Sequence, residues 1–200
     1  MIGIEGIDAA GKQTQSSLLE GWLRDEGFKT ASLSFPDYDT PIGKEIRAFL
    51  SGQRDFPPEL QHMLFAANRW EKAYLIRKYK ETDTTVIVNR YSESNFAYGL
   101  ANGLGIKWLK ALEQGLPKTD LVIVLDASPS GLLSRRPGGR DSYETNSDLQ
   151  SRAQRAYKKL APRFGWKVVD ASKDIETVHA SVVEIVKESM RVRRRGRQRL

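Results

Sequence analysis

Two hundred residues with 40% hydrophobic content suffice for one well-cored domain. No apolar run approaches the roughly 20 residues that span a bilayer, the first residues lack the charged region of a secretory signal, and the absence of cysteine excludes disulfides and thiolate metal sites, in keeping with a cytoplasmic location. The net charge of +7 belongs to one end of the chain: Arg191, Arg193, Arg194, Arg195, Arg197 and Arg199 account for six of it. The body is therefore nearly neutral. That balance predicts a domain over residues 1–190 and a basic, disordered tail over 191–200, with no nucleic-acid partner beyond weak tail electrostatics.

In chain order, Ile2 to Glu5 reads as a first strand, followed by a glycine-containing loop and a helix from about Lys12 to Glu26. Thr30 to Ser34 is a second strand candidate, ending at Phe35-Pro36. Pro58 to about Glu81 carries a long helical pattern without internal glycine or proline. Thr84 to Val88 and Leu121 to Leu125 are apolar and β-branched, as in buried parallel strands. Residues 134–145 are charged and nearly devoid of aliphatic side chains, which predicts an exposed, mobile flap. Lys167 to Val169 is the expected last strand, and about Ile175 to Met190 the last helix. The alternation predicts an α/β fold, a parallel sheet of about five strands flanked by helices, with a mobile lid.

The chemistry concentrates first in Gly6-Ile7-Asp8-Ala9-Ala10-Gly11-Lys12, which follows a strand and opens a helix. In that context glycines let backbone N–H groups turn toward phosphate oxygens at a helix N-terminus, and Lys12 supplies charge to the β- and γ-phosphates. Gly6, Ala9, Ala10, Gly11, Lys12, Gln13 and Thr14 are thus the candidate ATP-binding residues. The usual pattern ends in Ser or Thr, whose hydroxyl touches Mg²⁺; here Gln13 takes that place and the threonine follows at Thr14. Farther on, Phe65 and Arg69 lie four apart and share a helix face, so an aromatic ring and a guanidinium can meet one base. Arg90 follows a strand and emerges at the carboxyl edge where α/β sheets bind ligands, a suitable place for a bidentate phosphate contact.

These segments, with Phe35-Pro36-Asp37-Tyr38, Phe65 to Glu71, Arg90-Tyr91, Ser94-Asn95, Ala97-Tyr98, Leu116 to Leu121 and Arg140 to Glu144, resemble the thymidylate kinases over nearly the whole chain. The resemblance implies a P-loop kinase fold, ATP and Mg²⁺ as cofactors, dTMP as acceptor and a homodimer. It further implies that Phe65 stacks on thymine and Arg69 reaches its O4, that Arg90 and Tyr38 hold the acceptor phosphate, and that Asn95 reads the pyrimidine edge. Tyr98 then crowds the sugar 2′ position, Tyr143 joins the acceptor set, and Asp8 sits near the 3′-hydroxyl and a metal-bound water. Read only as residues, Phe65 could equally be core, Asn95 a helix cap and Tyr98 a packing tyrosine.

Catalysis of phosphoryl transfer is mostly positioning and charge neutralisation. Lys12, Arg90 and Asp8 are candidates, joined by a lid arginine, Arg140 before Arg136, because the phosphate loop itself contains no arginine. Asp8, Asp141 and Glu144 are the candidate Mg²⁺ contacts, partly through water. A second departure is Asn89-Arg90-Tyr91, where the family has Asp-Arg-Tyr. Two alternatives stay open: a kinase for another pyrimidine monophosphate, and a nucleotide-binding protein with reduced turnover.

Overall fold

The computed structural model describes residues 1–128 and 142–197, without the side chains of Glu144 and 193–197. Five parallel strands, β1 (Ile2–Gly6), β2 (Thr30–Ser34), β3 (Thr85–Asn89), β4 (Leu121–Asp126) and β5 (Lys167–Asp170), form one sheet in the order β2-β3-β1-β4-β5. The strand edges expected from the sequence shift by a residue or so, and the architecture is as expected.

Register follows from burial. Every residue of β1 is buried, as are the centres of β3 and β4, so these strands fit only in the middle of the sheet. Pairing Ile4 with Asn89 and Gly6 with Leu125 brings the carboxyl ends of β1 and β3 side by side. The phosphate loop leaves one end and Arg90 leaves the other.

The helices are α1 (Lys12–Asp25), α2 (Pro41–Leu50), α3 (Pro58–Glu81), α4 (Ser92–Ala101), α5 (Ile106–Leu112), α6 (Ser142–Thr145), α7 (Ser147–Phe164) and α8 (Ile175–Arg197). Helix α1 packs on α8, and α4 on α7. One apolar cluster joins β1, β4, α1, α4, α7 and α8, with Ile4, Leu19, Ile123 and Val182 fully buried.

Three of these helices carry signals that apolar periodicity alone misses. Helix α2 starts at Thr40, whose hydroxyl accepts the Gly43 N–H at 3.1 Å, with Pro41 in the first turn. Helix α7 starts at Asn146, which accepts the Leu149 N–H at 2.9 Å, and ends at Gly165 with φ 70°. Helix α4 buries Ser92, Glu93, Ser94 and Asn95, so its polarity hides that it is a core helix. The short α5 completes the link to β4.

One expectation falls mostly outside the described residues and another changes. The lid at 134–145 is described only over α6; its remainder, with Arg136, Arg140 and Asp141, lies outside the described residues. The tail expected to be disordered from residue 191 is instead helical as far as Arg197, because α8 runs on through residues of good helix propensity. One glycine positions the site: a Cβ on Gly43 would lie 1.7 Å from the Asp37 carbonyl oxygen, so only glycine lets α2 press against the loop that carries Tyr38.

Candidate active site

A cleft of about 700 Å³ runs along the carboxyl edge of the sheet. The phosphate loop forms its floor, α3 and α4 one end, and residues 171–178 after β5 the other. Every expected site residue whose side chain is described lines it, Gly6 excepted: Asp8 through Thr14, Tyr38, Phe65, Arg69, Arg90, Asn95, Tyr98 and Tyr143.

The loop's shape follows from backbone constraints. Gly6 has φ 136°, and a Cβ there would sit 2.5 Å from the Leu125 carbonyl oxygen. Gly11, with φ 89°, precedes the first turn of α1. The ammonium of Lys12 donates to the Ile7 carbonyl at 2.7 Å, which ties the side chain across its own loop.

Arg90 adopts φ 62°, an uncommon conformation for a residue with a side chain. Its neighbours hold it there. The Arg90 N–H donates to the Ile4 carbonyl at 3.1 Å, and the Tyr91 N–H donates to buried Glu5 at 2.7 Å. Glu5 also accepts from Ser94 Oγ at 2.6 Å and the Tyr157 hydroxyl at 2.8 Å. Burial pushes the Glu5 carboxyl up, and these hydrogen bonds and Arg90 work against that.

So fixed, the guanidinium reaches the phosphate loop. Arg90 Nη2 donates to Asp8 Oδ1, and Nη1 to the Gly6 carbonyl at 3.2 Å. Asp8 Oδ2 accepts from Gln150 Nε2 at 2.6 Å and lies 3.1 Å from the Tyr98 hydroxyl. Burial favours a neutral Asp8, but the charges of Arg90 and Lys12 outweigh it and hold the carboxyl at about 2. Arg90 stays charged because Asp8 more than offsets its burial. Both Asp8 oxygens are thus engaged within the protein.

The other end of the cleft contains a second arginine–carboxylate centre. Arg69 is 3% exposed, and its Nε and Nη2 both donate to Glu113, Nε at 2.9 Å. Glu113 also accepts from Ser92 Oγ at 2.8 Å and Asn95 Nδ2 at 2.6 Å. Asn95 therefore spends its amide within the protein, its Oδ1 lying 2.6 Å from His62 Nδ1. Phe65 is half-buried, with the rings of His62 and Tyr143 edge-on at 5.8 and 6.0 Å. The Tyr38 ring lies under the Arg47 guanidinium, 5.0 Å away.

Glu5, His62, Glu113 and Gln150 are the residues that sequence reasoning missed. Gln150 is 142 residues from Asp8 and Glu113 is 44 from Arg69, so no local spacing marks either. Glu5 sits in the matched Glu5-Gly6 segment, and an acidic residue in an apolar central strand is the one signal that could have flagged it.

The two departures near the expected cation meet each other. Asn89 Nδ2 donates to Gln13 Oε1 at 3.1 Å and to Ser34 Oγ at 3.2 Å. Asn89 Oδ1 is buried and accepts no hydrogen bond among the described residues.

The Thymidylate kinase family model matches residues 4–182. The chain belongs to the thymidylate kinase family. It is 37% identical over 194 residues to the human thymidylate kinase, covering 96% of this chain and 91% of that one. Identity to the Arabidopsis thaliana thymidylate kinase is also 37%, over 191 residues, with 96% and 72% covered. A solved structure of Candida albicans thymidylate kinase superposes with a TM-score of 0.85 at 30% identity, covering 94% and 91% of the two chains. Members of this family are ATP-dependent nucleoside monophosphate kinases. No helix among the described residues is long and apolar enough to cross a membrane.

One carboxylate beside the site makes stability depend on pH. Glu93 is buried in the first turn of α4; its Oε1 accepts from Thr119 Oγ1 and its Oε2 accepts nothing among the described residues. Burial above all, then the charges of Glu5 and Glu113, raise it from 4.5 to about 7. The native state therefore keeps a proton that the unfolded chain has lost. Stability from this proton is fully present below about pH 4.5 and disappears as pH rises through about 7. Glu93→Gln keeps the shape and removes the charge. Urea denaturation is expected to show it equal to the parent at pH 5 and more stable at pH 8, by on the order of 1–3 kcal/mol.

Proposed function

We propose that the chain transfers the γ-phosphoryl group of ATP to dTMP, giving dTDP and ADP. The observation that carries this reading is the spacing of two arginines along one cleft, Arg90 against the phosphate loop and Arg69 one helical turn beyond the half-buried Phe65. A nucleotide switch has no use for the second of these.

In this reading the loop N–H groups and Lys12 bind the donor phosphates, and Arg90 receives the acceptor phosphate with Tyr38. Phe65 stacks on the thymine. Arg69 keeps Nη1 for a base carbonyl, since Nε and Nη2 are committed to Glu113. Asn95 acts by holding His62 and Glu113. Tyr98 packs under Arg90, 5.2 Å from its ring centre to the guanidinium carbon, where a ribose 2′-hydroxyl would meet it. Asp8 neutralises Arg90 until phosphate arrives and takes over that role. Arg140, with Arg136 second, supplies charge from the lid.

The described residues suit a hydrated Mg²⁺ carried chiefly by the nucleotide. They contain no group of three His, Asp or Glu able to hold a bare ion. The unpartnered Asn89 Oδ1, with Gln13 beside it, offers neutral oxygens to the ion's waters. Asp141 and Glu144 join from the lid. When bound, the ion neutralises phosphate charge.

The homodimer finds support on α3. Leu60, Met63, Trp70 and Tyr74 follow at intervals of three, seven and four residues, hence on one helix face, and all are exposed, Tyr74 by 77%. Pairing two such faces would cover this stripe. We place the reaction in the cytoplasm, in keeping with the cysteine-free chain.

ADP release with ATP and a panel of dTMP, dUMP, UMP, CMP and AMP is expected to be fastest with dTMP; equal rates with UMP would overturn the assignment. Asn89 also favours reduced turnover as a second reading, and a Mg²⁺ titration tests it. Asn89→Asp is expected to lower the Mg²⁺ needed for half-maximal rate several-fold, on the order of one charge–dication contact; an unchanged titration and turnover would refute this metal assignment. Light scattering is expected to give twice the 22.6 kDa chain mass, and the monomer for Trp70→Glu/Tyr74→Glu.

A further inference from the structure

His62 lies wholly buried between α3 and α4, in none of the roles considered above. The protons around it admit one arrangement. Asn95 Nδ2 donates to Glu113 Oε1 and to the His62 carbonyl, so Asn95 Oδ1 is the acceptor facing the ring. His62 Nδ1 must then carry the proton that bridges the 2.6 Å to Asn95 Oδ1. Nε2 is left as an acceptor, and Asn102 Nδ2 donates to it at 3.1 Å.

The line continues outward. Asn102 Nδ2 also donates to the Tyr143 hydroxyl at 3.0 Å, and that hydroxyl donates to Gln61 Oε1 at 2.5 Å. Each donor thus has its acceptor from Tyr143 to Glu113, which holds Arg69. Burial keeps His62 neutral, with the ring held down at about 4, so this arrangement is the one present at neutral pH. Tyr143 is anchored a second time through its backbone: its carbonyl accepts from Gln150 Nε2 at 2.8 Å, and the same nitrogen donates to Asp8. One residue of α6, Tyr143, is therefore tied to both arginine–carboxylate centres.

We infer that His62 and Asn102 are positioning residues that lock the Arg69 guanidinium in register with Tyr143, and thereby set the pocket's preference for a pyrimidine with a carbonyl at position 4 over one with an amino group. The inference rests on the proposed dTMP kinase reading. A guanidinium donates only, so it suits a 4-carbonyl and leaves a 4-amino group facing another donor. The discrimination holds only while the guanidinium cannot swing away. Glu113 fixes two of its nitrogens, and Glu113 is itself oriented by Asn95, whose direction His62 dictates.

The test uses the full chain with Asn102→Ala, His62→Gln and Tyr143→Phe. Calorimetry measures dTMP binding without ATP, and steady-state rates compare dTMP with dCMP at saturating ATP. Asn102→Ala is expected to weaken dTMP binding about tenfold, as for loss of one or two buried hydrogen bonds. KM for dTMP rises by the same factor, kcat moves by less than about twofold, and the preference for dTMP over dCMP shrinks. Should His62→Gln not fold, Asn102→Ala and Tyr143→Phe carry the test, because both residues are only partly buried. Parent-like dTMP affinity and dTMP/dCMP selectivity in those two variants overturns the positioning role. A parent chain that neither binds nor phosphorylates dTMP overturns the functional reading, and this inference with it.

Discussion

A guanidinium placed beneath a phosphate loop without a partner would cost several kcal/mol in lost hydration, so Arg90 cannot occupy its position alone. Asp8 and Glu5 make it possible. Asp8 meets the guanidinium directly, and Glu5 holds the turn that aims it, by accepting the Tyr91 N–H. The parallel register makes that contact available, because Ile4 lies opposite Asn89 and the two strands end together. The charge pair thus joins the backbone contacts to Ile4 and Glu5 in compensating a side chain held at positive φ.

The same logic repeats at the other end of the cleft. Arg69 is more deeply buried than Arg90, and Glu113 compensates it with both carboxylate oxygens, each bearing a further donor. Between the two centres run Ser94, Asn95 and Tyr98 from successive turns of α4. A helix that must serve polar partners on this scale cannot present an apolar stripe, and for that reason α4 is the element whose polarity disguises its burial. Pre-organised charge of this kind suits phosphoryl transfer, where donors already in place avoid reorganisation as charge moves.

How much of this was legible in the sequence follows from range. The strands, the phosphate loop, α1 and α3 rest on local pattern, and residues such as Lys12, Phe65 and Arg90 are marked by a strand end or a four-residue spacing. Their partners are not. Gln150 meets Asp8 only because α7 returns across the sheet, and Glu113 meets Arg69 only because α5 ends beside α3. Asn95 was legible as a site residue, and its bonds to His62 and Glu113, 33 and 18 residues away, were not. The arginine-rich end carried a charge signal that read as disorder, whereas helix propensity continues α8 to Arg197.

The two departures from the family pattern illustrate the same limit. Read along the chain, Gln13 and Asn89 are separate losses of metal-facing chemistry, 76 residues apart. In the fold they are one unit, the amide of Asn89 donating to the carbonyl of Gln13 and to Ser34. An aspartate at 89 would offer only acceptors and would turn one toward the Gln13 carbonyl, so each residue makes sense of the other. The pair lowers the negative charge facing the phosphates by one unit while keeping an oxygen, Asn89 Oδ1, free to accept from water. Less repulsion of nucleotide and weaker attraction of a cation are consequences of the same exchange. In the proposed reading, a site of this charge would hold phosphate through Lys12, Arg90 and backbone N–H groups, and a metal would be held more by the nucleotide than by the protein.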